Sequence, residues 1–192
     1  MHPLLLSKEK LTKQSFWQEM VQAEHIPIFA SSISPWIVTM DALEPFRAKG
    51  PIQEPTPLPY LQQKGKHTFD INLEVYIEPE NVEASLVSKS NFKYMYWSMS
   101  QQLAHHTSNG CRINSGDMMG SGTISGPTPD SCGSMLELTW GGKNPIKMND
   151  GSERKFINDN DTVTMKGFCQ NSSVRIGFGE VSSKLLPPFV RK

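Results

Sequence analysis

The stretch HTFDINLEVYIEP, residues 67–79, alternates between two kinds of side chain: Phe69, Ile71, Leu73, Val75 and Ile77 share one parity, while Asp70, Asn72, Glu74 and Tyr76 share the other. Successive side chains of a strand point to opposite faces, so the pattern predicts a strand with one face against a core. Pro79, which has no N–H for a ladder, ends it. Downstream, DTVTMKGFCQ (161–170) and VRIGFGEV (174–181) read as two further strands. Ser115-Gly116-Asp117, the glycines of the 120s, Gly141-Gly142-Lys143, Asn149-Asp150-Gly151 and Asn158-Asp159-Asn160-Asp161 mark chain reversals. Short strands with turns about every 10 residues predict a sandwich, roll or barrel. No internal repeat recurs at a fixed period.

Upstream of the strand the chain changes character. PIQEPTPLPY, Pro51 to Tyr60, reads as an extended, proline-stiffened crossing, and Pro27, Pro35 and Pro45 break any long helix between Ile26 and Phe46. Residues 8–24 carry a weak helical stripe of Leu11, Phe16, Met20 and Ala23. The main helix is expected near residues 90–108. Ser90 or Asn91 would cap it, Phe92, Met95, Tyr96, Met99, Leu103 and His106 would form its apolar stripe, and Asn109-Gly110 would stop it.

The 192 residues suffice for one sizeable core, and 19 Lys plus Arg balance 19 Asp plus Glu. That balance draws the chain to neither nucleic acid nor an anionic membrane. Three separated cysteines, Cys111, Cys132 and Cys169, fit neither a disulfide framework nor a zinc site, and read as reduced thiols of a cytoplasmic protein. The apolar run Leu4-Leu5-Leu6 is too short for a secretory signal, so the acceptor pattern Asn171-Ser172-Ser173 reads as chance.

SGTISGPTPDSCGSMLELTW, Ser121 to Trp140, sets a Gly/Ser/Pro-rich loop before an alternating segment. Taken as a strand, Leu136, Leu138 and Trp140 point one way and Met135, Glu137 and Thr139 the other, placing Glu137 on a solvent face or a cleft wall.

SPWIVTMDALEPF (34–46), PLPYL (57–61), TFDINLEV (68–75), SNFKYMYWSMSQQLAHHTSNGC (90–111), GSGTISGPTPDSCGSMLELTWGG (120–142), RKFINDNDTV (154–163) and RIGFGEVSSKLLP (175–187), in that order, resemble the C-terminal half of the fumarylacetoacetase (fumarylacetoacetate hydrolase) family. The resemblance covers residues 31–192; residues 1–30 form a segment outside it. It implies a β-rich mixed α+β chain, a partial β-roll-like fold, a cytoplasmic homodimer, and hydrolysis of 4-fumarylacetoacetate to fumarate and acetoacetate with Mg²⁺ or Ca²⁺. It also implies that Thr123 contacts substrate and that Glu137 partners the catalytic histidine. Such residue types suit the reaction: cleaving a β-diketone needs activated water, a base and stabilisation of the leaving enolate, and a carboxylate behind a histidine fixes its tautomer.

The family's metal-binding carboxylates and histidine base have no matching position in this sequence, and Pro27 stands near the expected place of its substrate-binding lysine. Local substitutes read more simply otherwise. Glu78-Pro79-Glu80 falls in a turn, and His105 and His106 end a helix where packing or capping explains them. Lys89, Lys93, Tyr94, Tyr96 and Trp97 lack the charge excess of a nucleic-acid platform, and Asp159 and Asp161 lack the spacing of an EF-hand. Two expectations follow: the chain is the C-terminal piece of an enzyme whose preceding half supplies metal site and base, inactive alone; or it is a non-catalytic truncated domain that dimerises or regulates a full-length copy.

Overall fold

A computed structural model describes residues 32–188. The helix expected over 8–24 and the region around Pro27 lie outside those residues. The strands are β1 (Arg47–Ala48), β2 (Thr68–Phe69), β3 (Asn72–Glu78), β4 (Ser85–Asn91), β5 (Ile146–Lys147), β6 (Glu153–Arg154), β7 (Thr162–Gln170) and β8 (Arg175–Lys184). The helices are α1 (Met40–Leu43), α2 (Met99–Thr107) and α3 (Met135–Leu138). This is a mixed α+β chain in which strands dominate, as expected from the turn spacing. Among the described residues no helix is long and apolar enough to cross a membrane.

The principal sheet is four-stranded and antiparallel, in the order β4-β3-β7-β8. The alternation that predicted β3 places it at the centre, with Leu73 opposite Ser90 on one side and Gly167 on the other. Phe69, Ile71 and Cys169 join Leu43 and Phe46 in a buried cluster, against which Val38, Leu73, Phe92, Ile176 and Phe178 pack. The opposite face is polar. Glu74, Lys166 and Glu180 are cross-strand neighbours there, with Lys166 3.3 Å from Glu180, and Thr164 and Ser182 hydroxyls lie 2.8 Å apart. Those two chemistries explain why β3 reads with period two.

Two elements differ from the sequence expectation. Ser90 and Asn91, of which one was expected to cap the helix, instead end β4; Asn91 then caps only a short 3₁₀ turn, Phe92–Tyr94, its side chain accepting from Lys93 N–H. The helix restarts at Ser98, whose hydroxyl accepts from Gln101 N–H at 3.2 Å while Gln101 Oε1 accepts from Ser98 N–H at 2.9 Å. This capping box sets the start at Met99, inside the expected range of 90–108.

The helix also buries a different face. Met99 and Leu103 are exposed and His106 is half-buried, whereas Gln101 and His105 are buried. Gln101 Nε2 donates to Gln53 Oε1 (2.8 Å) and to Leu61 O (2.7 Å), and Gln53 Nε2 donates back to Gln101 Oε1 (3.0 Å). His105 Nδ1 lies 3.0 Å from the Tyr60 hydroxyl. The proline-rich segment thus contributes polar partners to Gln101 and to His105 Nδ1. Tyr96, expected on the apolar stripe, instead donates to Glu54 O at 3.1 Å.

Candidate functional site

Glu137 lies not on a strand but on α3, a single helical turn. The reason is legible in Ser134-Met135-Leu136-Glu137. Ser134 occupies the N-cap and its hydroxyl accepts from Glu137 N–H at 3.3 Å, as a Ser-x-x-Glu sequence before a helical turn favours. The same hydroxyl donates to Glu137 Oε2 at 3.0 Å. Trp140 and Gly141 follow with φ of 53° and 65°, which ends the helical turn. Thr139, fully buried, holds that exit by donating to Met135 O (2.7 Å) and accepting from Gly142 N–H (3.0 Å).

The loop carrying Thr123 is fastened to this turn through Ser125. Its hydroxyl donates to Glu137 at 2.8 Å to Oε2 and 3.0 Å to Oε1, and accepts from Gly133 N–H at 2.9 Å. The approach is close enough to require glycine: a Cβ on Gly133 would stand 2.7 Å from Ile124 N and 2.9 Å from Ile124 O. Gly126 is similarly confined, by Ser131 Oγ and the Tyr94 ring, and its N–H donates to Ser131 O at 2.8 Å. Cys132 O accepts from the Ser88 hydroxyl at 2.7 Å, which ties the whole loop to β4.

Thr123 and Glu137 are both exposed, and Ser125, two residues along the loop from Thr123, bonds to Glu137. Burial raises the Cys132 thiol above the usual thiol range, and the negative charges of Glu137 and Asp130 push the same way. Chemically, Glu137 is a hydroxyl-oriented acceptor. Oε2 takes two serine hydroxyls and Oε1 shares one, so Oε1 keeps the greater accepting capacity for an N–H arriving from outside. Among the described residues no group of three or more His, Cys, Asp or Glu could hold a metal ion. The Mg²⁺ or Ca²⁺ implied by the resemblance therefore does not fit these residues.

The other candidates are accounted for structurally. Glu80 pairs with Lys184 at 3.0 Å. Asp161, buried, receives Arg154 through Nε at 3.0 Å and Nη2 at 3.1 Å, so the Asn/Asp-rich turn is an ion-paired reversal. Ser125 and Ser134 were missed from sequence; the signal for Ser134 was the Ser-x-x-Glu spacing, and none pointed to Ser125.

The sequence profile of the fumarylacetoacetate (FAA) hydrolase C-terminal family matches residues 12–185. Fumarylacetoacetase of Homo sapiens is 50% identical over 172 residues, covering 85% of this chain and 41% of the relative. The Dictyostelium discoideum fumarylacetoacetase is 51% identical over 174 residues (85% and 41%), and that of Arabidopsis thaliana 48% over 172 (85% and 41%). The chain thus spans about 41% of the length of these curated relatives. With a profile matched along nearly its whole length, the chain belongs to the fumarylacetoacetate hydrolase family, in its C-terminal part.

Proposed function

We propose that this chain is the C-terminal portion of a cytoplasmic, homodimeric fumarylacetoacetase that hydrolyses 4-fumarylacetoacetate to fumarate and acetoacetate in tyrosine and phenylalanine catabolism. The observation that carries the reading is the Ser125–Glu137–Ser134 arrangement beside Thr123. A carboxylate held by two hydroxyls, with one oxygen still able to accept, suits the rear member of a histidine dyad: it fixes the imidazole tautomer and stabilises the imidazolium formed when water is deprotonated. Thr123, exposed on the same loop, meets the substrate. The histidine and the divalent ion belong to the part of the enzyme that this chain does not match.

The test uses two proteins. The 192-residue chain alone, mixed with fumarylacetoacetate and Mg²⁺, is expected to leave the diketone's ultraviolet absorbance unchanged. A chimaera in which this chain replaces the corresponding portion of the Homo sapiens relative is expected to consume the diketone, and to lose that activity in Glu137→Gln. A chimaera that turns over equally well with Gln at position 137 removes the role given to Glu137.

One observation favours a second reading, a non-catalytic domain that associates with itself or with a full-length copy. Ile37 and Trp36 are 92% and 70% exposed, a degree of apolar exposure associated with interaction surfaces. A chain that stays at monomer mass in light scattering, both alone and mixed with the full-length Homo sapiens relative, would remove this reading.

A further inference from the structure

Among the groups around Glu137, one residue is built into the site with no family role attached. The geometry points to Ser125 as the positioning residue that fixes the direction of the Glu137 carboxylate, an inference that rests on the dyad reading above. Its hydroxyl spans both carboxylate oxygens, 2.8 Å to Oε2 and 3.0 Å to Oε1, and is itself aimed by the Gly133 N–H it accepts at 2.9 Å. A hydroxyl has one proton to give. With Gly133 occupying an acceptor position, that proton is directed at Glu137.

Ser134 cannot replace it. Its hydroxyl reaches only Oε2, at 3.0 Å, and is also engaged as N-cap by Glu137 N–H at 3.3 Å. One hydroxyl on one oxygen leaves the Glu137 side chain free to exchange among the staggered rotamers that keep Oε2 within its reach. The second hydroxyl, arriving from a different chain segment twelve residues away, removes that freedom. Ser125 is also the link between the Thr123 loop and α3, so the same bond sets the spacing of the substrate-facing hydroxyl and the acid. The fit depends on Gly133, whose missing Cβ lets Ile124 approach.

The experiment compares Ser125→Ala and Ser125→Thr. In the full 192-residue chain carrying ¹³C-labelled glutamate, the Glu137 side-chain couplings are expected to report one rotamer in the wild type, averaging in Ser125→Ala and return to one rotamer in Ser125→Thr, which keeps the hydroxyl. In the chimaera, Ser125→Ala is expected to lower kcat about tenfold with KM unchanged, the size of one lost hydrogen bond to a charged group. Adding Ser125→Ala to Glu137→Gln is expected to cost nothing further, since residues acting as a unit are non-additive. Unchanged Glu137 couplings in Ser125→Ala would overturn the inference, as would equal kinetic losses in the Ala and Thr variants. A wild-type chimaera without turnover would count against the proposed function alone, leaving the couplings to decide for Ser125.

Discussion

The four-stranded sheet and the loop that carries Glu137 are held by different physical means. The sheet joins long ladders to an apolar cluster around Phe69, Ile71 and Cys169. The loop, from Thr123 to Gly142, has no such cluster. It is held by single hydroxyls, Ser88, Ser125, Ser131, Ser134 and Thr139, each bonded to a particular backbone or carboxylate group. Apolar burial is non-directional and sets global stability, while hydroxyl bonds contribute modestly each but fix direction. A region that must aim a carboxylate is therefore built from the second kind, and is anchored to the first at Ser88 on β4.

The sharpest break in that comparison is Phe69→Ala. Phe69 is 2% exposed at the centre of the cluster, and removing a buried aromatic typically costs about 3–5 kcal/mol. The loss should appear as a lower denaturation midpoint for the whole chain, loop included. Gly133→Ala should act on the loop alone. Its Cβ meets Ile124 backbone atoms at 2.7 to 3.0 Å, which cannot swing away as a side-chain tip would. Overpacking of this kind costs about 1–3 kcal/mol and here falls on the loop. The expected signature is faster thiol labelling at half-buried Cys132 and faster exchange of the Gly126 amide, with sheet amides little affected. Equal acceleration across β3 and β7 would show that loop and sheet open together.

What could be read from sequence follows the same division. β3 announced itself because Phe69 to Ile77 alternate apolar with polar side chains, and β7 and β8 read nearly as well. β4 did not. Its buried positions are Ser85, Ser88, Ser90 and Asn91, which leave no apolar period, and the side chains of Ser85, Ser88 and Asn91 serve as hydrogen-bonding groups. The helix was expected to bury Met99 and Leu103, yet it buries Gln101 and His105, because its neighbour is a proline-rich segment offering carbonyls, an amide and a phenol. Leu136-Glu137-Leu138-Thr139 imitated a strand over four residues, a window too short to separate the two periods, while Ser134 three positions before Glu137 carried the helical signal. Thr123 and Glu137 were singled out through resemblance. Ser125 was invisible, since its role depends on two segments meeting in space.

The smallest expected effect sharpens the comparison through the sheet's own thiol. Burial, with the charge of Asp70 adding, pushes Cys169 up to about 11. An unfolded thiol ionises near about 8.5, so between these values the unfolded chain has lost a proton that the folded chain keeps. Protons bound in excess by the folded state make stability fall as pH rises. The contribution is therefore intact below pH about 8.5 and is lost progressively as pH climbs toward about 11. Denaturation midpoints measured from pH 7 to pH 11 should fall more steeply for the wild type than for Cys169→Ala, although the variant starts lower because it leaves a small void. Lysines and tyrosines titrate in both proteins and cancel in the difference. Parallel curves would mean that the folded thiol ionises over the same pH range as the unfolded one, and that the interior beneath β7 contributes packing without a proton linkage.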